Sequence, residues 1–345
     1  MRLWLTRTLA HMALARGDAA LVKAAGGAPR TVRGRTLDPR FQFIEHQVRS
    51  RPAPAQMTPA LGRQGTDELV ALFGAKREPG VSTRMIAIPA EGRTIPARVY
   101  TPAAQDGAQP ALVFFHFGGG VVGSIETCDA FCTILATTLQ APVVSVEYRL
   151  APEHVWPAGL DDCIAAYRWT LAHADQFGAP KGRASVGGDS MGGNFSAILA
   201  QEMKRLGETA PVAQLLIYPA ADIADDSASM RDFADAFPLT RETMDWFMSQ
   251  YLPAGADLAD RRLSPMRGDL TGLAPALVFT AGFDPLSDQG DAYAAALAQA
   301  GVRVVHKRFD SLAHGFTAFT GAIPAADAAC REMARALDDV VRSVR

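Results

Sequence analysis

Cysteine is scarce in this chain: Cys128, Cys132, Cys163 and Cys330 are the only four thiols in 345 residues. None stands at C-x-x-C spacing or beside a histidine, which argues against a zinc site or a disulfide framework. Cys128 and Cys132, at i and i+4, would share a helix face, a poor geometry for a local bridge. Buried free thiols in a reducing compartment are the expectation. Net charge is nearly nil at −2, and no nucleic-acid partner is expected. Long apolar runs are missing as well. Arg2, Arg7, His11 and Arg16 break up the N-terminus, so neither a stable membrane insertion nor a secretion signal is expected, and the cytoplasm is the default location.

What is present suffices for a full core, since 48% of the residues are hydrophobic, enough for one large domain or two smaller ones. Residues 1–51 carry ten Lys/Arg against three Asp/Glu, a net +7, leaving −9 for the rest. A helix there with Leu5, Leu9 and Met12 on one side has two readings. It could touch anionic lipid, or it packs over the main domain with solvated arginines. Beyond Pro79-Gly80, apolar runs alternate with helical patterns, which predicts an α/β fold with a mostly parallel central sheet flanked by helices. Strands are expected at 85–89 and 94–100 as an opening antiparallel pair, then at 111–116, 141–148, 183–187, 214–218, 276–281 and 302–308. Helices are expected at 157–174, 191–206, 288–300 and 325–344.

Two segments break the alternation. Residues 1–80 precede the first strand, and 220–270 separate two strands where a short connection would suffice. Both are read as cap elements: an N-terminal extension over 1–80, and a lid inserted at 220–270 into a main domain spanning 81–345. Within the insertion Thr240 is placed as a helix N-cap, with Trp246, Phe247 and Tyr251 as aromatic lining of a ligand crevice.

Chemistry is concentrated at Gly188-Asp189-Ser190-Met191-Gly192. This Gly-x-Ser-x-Gly pentapeptide joins a predicted strand to a predicted helix, a sharp turn that lifts a hydroxyl clear of the sheet. A serine hydroxyl needs a base to take its proton and a carboxylate to orient that base. His314 and Asp284 each follow a buried strand, so the order Ser, Asp, His places all three on loops at one sheet edge. His11, His46, His173 and His306 are worse placed. Asp288 at a helix start is explained by the helix dipole, and Asp310 is too close to His314 in sequence to reach across its ring. A glycine loop, His116-Phe117-Gly118-Gly119-Gly120, directly follows a strand and can present backbone donors to a developing oxyanion.

This loop, the stretch Glu147-Tyr148-Arg149-Leu150-Ala151-Pro152-Glu153-His154, and Gly188-Asp189-Ser190-Met191-Gly192-Gly193 together resemble the hormone-sensitive-lipase-like (bacterial family IV) carboxylesterases. Tyr218-Pro219, Ser264-Pro265, Asp284-Pro285-Leu286 and His314-Gly315-Phe316 extend the likeness over about 80–340. The resemblance implies the α/β-hydrolase fold and cofactor-free, metal-free hydrolysis of small, short-acyl esters through an acyl-enzyme. It implies Ser190, Asp284 and His314 as triad, with the amides of Gly118, Gly119 and Met191 as oxyanion hole. His116 would anchor the loop, and Glu147 and Arg149 would pair beneath it, while Asp189 steadies the turn. Phe117 replaces the usual glycine and Met191 the usual alanine, which puts bulk beside the reacting carbon. Phe117, Trp246 and Phe247 are the candidate pocket residues, although Phe117 could instead pack outward under the N-terminal segment. The resemblance leaves a homodimer open. An amidase or arylformamidase-like hydrolase is the alternative reading. A ligand receptor on the same fold is more remote, because such receptors lose the triad histidine that this chain keeps.

Overall fold

The computed structural model describes residues 2–50 and 57–344, with side chains from residue 6. A short hairpin, β1 (Thr31–Val32) and β2 (Arg35–Thr36), precedes the main sheet. The sheet contains β3 (Val81–Ala90), β4 (Arg93–Pro102), β5 (Ala111–Phe115), β6 (Val143–Val146), β7 (Ala184–Asp189), β8 (Gln214–Ile217), β9 (Ala276–Phe283) and β10 (Val304–Ala313). Its strand order is β10-β9-β8-β7-β5-β6-β4-β3. The strands from β6 to β10 run parallel, whereas β4 pairs antiparallel with both β3 and β6.

The central strands are short apolar runs buried along their whole length, as a sheet covered by helices on both faces demands. Alternation along β5 sorts side chains between the two faces. Leu112 and Phe114 join a core cluster with Phe131, Cys132 and Met333, which lie on the helices Asp129–Leu139 and Pro324–Ser343. Val113 and Phe115 join another with Leu160, Tyr167, Phe195 and Ile198, from the helices Ala158–His173 and Met191–Leu206. Each large side chain so buried contributes roughly 1.5–3 kcal/mol of hydrophobic stabilisation. All four cysteines are free and buried.

The expected strands and helices are found, with one informative difference at the last strand. β10 continues past the expected 308 to Ala313, with a register shift between Phe309 and Ala313. The polar residues Asp310 and Ser311 fall within that shift, where alternation no longer marks a strand. The shift sets Ala313 beside Phe283, so the residues that follow β9 and β10 emerge together.

The N-terminal helix Arg2–Leu14 packs on helix Pro59–Phe73 of the same N-terminal segment. Arg7 donates to the carbonyls of Ala71 and Gly74, and His11 Nε2 donates to that of Leu72, covering the C-terminal carbonyls of helix Pro59–Phe73 that lack helical partners. Leu9 and Met12 are exposed; Leu5, the third residue expected on that face, has a side chain outside the described residues. Most arginines of this region are paired rather than solvated. Arg30 and Arg49 both meet Glu45 and Asp235, while Arg33 meets Asp232 and Asp288. The charge asymmetry read from the sequence is therefore largely neutralised within the molecule. Among the described residues, no helix is long and apolar enough to cross a membrane.

Candidate functional site

Ser190, Asp284 and His314 directly follow β7, β9 and β10, so three parallel strands deliver them to the same edge of the sheet. Ser190 has φ +56 and ψ −115, a conformation costly for a residue with a side chain. Its amide donates to Ile217 O at 2.8 Å, and its carbonyl accepts from Asn194 N at 3.0 Å as helix Met191–Leu206 begins. Tight packing enforces the turn: a Cβ on Gly192 would fall 1.9 Å from Phe115 O.

The three side chains are in line. His314 Nδ1 lies 2.8 Å from Asp284 Oδ2, and His314 Nε2 lies 2.9 Å from Ser190 Oγ. Asp284 Oδ1 accepts from Leu286 N at 2.8 Å, which fixes the carboxylate that faces the imidazole. With Nδ1–H donating to Asp284, Nε2 is left as the acceptor for the Ser190 hydroxyl. Asp284 is fully buried, while Ser190 and His314 keep 9% and 6% of their surface accessible, enough for a small molecule to reach the hydroxyl. An alcohol aligned in this way can lose its proton as it attacks an electrophile.

Gly118, Gly119 and Met191 line the same cavity as Ser190 and His314. Gly118, Gly119 and Gly120 have φ of +126, +63 and +73, a run of left-handed backbone that glycine alone tolerates readily. Among the described residues, none accepts a hydrogen bond from the amides of Gly118 or Gly119. The Met191 amide lies in the first turn of its helix, where N–H groups have no helical acceptor.

His116 secures the base of this loop. Its Nδ1 donates to Phe117 O at 2.7 Å, its carbonyl accepts from Tyr148 Oη at 2.7 Å, and its ring stacks on Tyr148 at 4.2 Å. Burial holds its pKa down at about 4, so the ring is neutral near pH 7. Ala151 N donates to Gly120 O at 2.8 Å, completing a bracket under the loop. One expected part of that bracket is absent: Glu147 and Arg149 do not pair. Glu147 Oε2 accepts instead from Ile125 N, and Arg149 turns to the buried Asp162. The two demands that separate them, an unpaired amide and a buried carboxylate, come from distant segments that local spacing does not reveal.

The cavity measures about 910 Å³. Its roof comes from two helices, Pro59–Phe73 and Arg241–Tyr251, with Thr240 Oγ1 accepting from Thr243 N at the start of the latter. Trp246 and Phe247 line it as expected. Tyr251 does not: it is buried against the glycine loop, where a Cβ on Gly120 would fall 2.5 Å from its ring. Phe247 covers Gly119 in the same manner, at 2.5 Å. Phe117 is half-buried in the cavity wall and packs against the core cluster that contains Phe114 and Phe316. Sequence reasoning missed Leu61, Gly62 and Leu69, which line the cavity from the first roof helix. The available signal was Gly62, whose missing side chain lets Trp246 approach.

The comparisons agree with this geometry. Residues 112–318 match the alpha/beta hydrolase fold family. The chain is 42% identical to the carboxylic ester hydrolase LipN of Mycobacterium tuberculosis, over 82% of this chain and 77% of that protein. It is 37% identical to an ethyl acetate hydrolase of Pseudomonas putida, over 77% of this chain and 85% of that one. The solved hyperthermophilic esterase of Pyrobaculum calidifontis superimposes with a TM-score of 0.83 at 35% identity, covering 90% of this chain and 99% of its own. The chain belongs to the hormone-sensitive-lipase-like branch of the alpha/beta hydrolase fold family.

Proposed function

We propose that this protein is a serine carboxylesterase acting on small carboxylic esters through an acyl-enzyme. The observation that carries the reading is the continuous line from Asp284 through His314 to Ser190, with contacts of 2.8 and 2.9 Å. Ser190 Oγ attacks the ester carbonyl carbon while its proton passes to His314 Nε2. The carbonyl oxygen takes up negative charge and is met by the amides of Gly118, Gly119 and Met191. Collapse of this intermediate breaks the C–O bond, and the departing alkoxide takes the proton from His314. Water then attacks the acyl-Ser190 ester with His314 again as base, releasing the acid. Relatives whose names specify carboxylic ester and ethyl acetate hydrolysis support ester over amide bonds. Matched p-nitrophenyl esters and anilides test this: esters should turn over far faster, and faster anilide cleavage would overturn the assignment.

The helices Pro59–Phe73 and Arg241–Tyr251 serve as the cap that shapes the substrate space. Phe117 and Met191 add bulk beside Ser190, which favours a short acyl group. Phe117→Gly is therefore expected to shift preference toward longer acyl chains in a p-nitrophenyl ester series. An unchanged chain-length profile would remove Phe117 from the specificity wall.

A further inference from the structure

Directly before the proposed nucleophile stands a fully buried carboxylate, Asp189, for which the reaction above has no use. Its contacts reach beyond the turn that carries it. Asp189 Oδ2 accepts from Thr317 Oγ1 at 2.7 Å and from Tyr218 Oη at 3.0 Å, and these two hydroxyls lie 2.7 Å apart. Thr317 stands three residues past His314, and the Tyr218 ring packs on the His314 ring at 4.7 Å. One carboxylate oxygen thus ties the serine turn to the two groups that flank the imidazole.

We propose that Asp189 is a positioning residue for His314, holding the imidazole loop against the nucleophile turn and supplying a second negative charge to the imidazolium formed during reaction. The proposal rests on the esterase reading of the same site. Two hydroxyl donors on one oxygen would be satisfied equally by a neutral amide acceptor. The other oxygen, Oδ1, has no hydrogen-bond partner among the described residues, so a charge kept here is costly for the fold. Burial indeed raises the Asp189 pKa to about 6, against the lowering influence of Thr317, Tyr218 and His314. The groups facing it are His314 and Thr317 after β10, Tyr218 after β8, Tyr148 after β6, Cys132 on helix Asp129–Leu139 and Cys330 on helix Pro324–Ser343. Burial pushes both tyrosines and both thiols well above their ordinary values, so they stay neutral. Of these groups only His314 can become positive, and it is where the carboxylate charge has a use.

Asp189→Asn separates this role from a merely structural one. A carboxyl whose folded pKa of about 6 exceeds its ordinary value of 3.8 costs the fold stability above that window, a cost that is relieved as pH falls through it. Removing the charge should leave the melting temperature at pH 8 unchanged or higher. With a p-nitrophenyl ester, kcat should fall about tenfold with KM within about twofold. The midpoint of the acidic limb of kcat/KM should move down by about half a pH unit or more, because the imidazolium loses a nearby negative charge. Thr317→Val keeps the charge but cuts the tether, so it should lower kcat with little change in that midpoint. It also carries the test if Asp189→Asn fails to fold. Wild-type kcat and midpoint in Asp189→Asn would overturn the proposal, as would a fall in melting temperature with an unmoved midpoint, or wild-type kcat in Thr317→Val. Wild-type enzyme and Ser190→Ala run in parallel report separately on the esterase reading.

Discussion

Ser190→Ala is expected to lower kcat by at least about a thousandfold while the protein still folds. The hydroxyl is the atom that would be acylated, and among the described residues it is the group that His314 Nε2 meets, at 2.9 Å. Folding should survive, because the contacts that hold this turn are made by the backbone: the amide to Ile217 O, and the carbonyl to Asn194 N. The residue keeps its unusual φ of +56, and alanine bears that cost about as well as serine does. Steady-state hydrolysis beside a thermal melt checks both halves. Turnover within tenfold of wild type would show that another residue is the nucleophile.

Gly192→Ala is expected to do the opposite, abolishing activity by damaging the fold. The added methyl would meet Phe115 O at 1.9 Å, Phe115 C at 2.6 Å and His116 O at 2.9 Å. All three are backbone atoms at the end of a fully buried strand, so no side chain can swing aside. Relief requires helix Met191–Leu206 to withdraw from the sheet, or β5 and the glycine loop behind it to shift. The first moves the Met191 amide and the second moves Gly118 and Gly119, so either route separates the oxyanion donors. Destabilisation of at least about 3 kcal/mol follows, read as a large fall in melting temperature or loss of soluble protein. A variant with wild-type stability and turnover would mean that the serine turn is looser than described.

The features legible in the sequence share one property: each is a local pattern with a local cause. Buried strands such as β5 and β6 are short runs of apolar residues, and helix Met191–Leu206 falls where its period places it. Ser190, Asp284 and His314 could be singled out because each lies directly after such a strand. Features that depend on distant partners were hidden. Arg149 finds Asp162 rather than Glu147 because a buried carboxylate on a helix requires it. Tyr251 leaves the cavity because the side-chain-free Gly120 offers its ring a place to pack. The extension of β10 through Asp310 and Ser311 is set by pairing with β9, not by alternation. The link from Asp189 to Thr317 spans 128 residues, a separation no spacing rule could connect.

The claim on which the rest depends is that the hydroxyl of residue 190 is activated by its two buried partners. Peptide mapping after reaction with a fluorophosphonate tests it most directly, since such probes bond covalently to an activated serine. One adduct per chain on Ser190, with ester hydrolysis lost in step, is the predicted result. An unmodified Ser190, or inhibition accompanied by an adduct on another residue, would contradict the account.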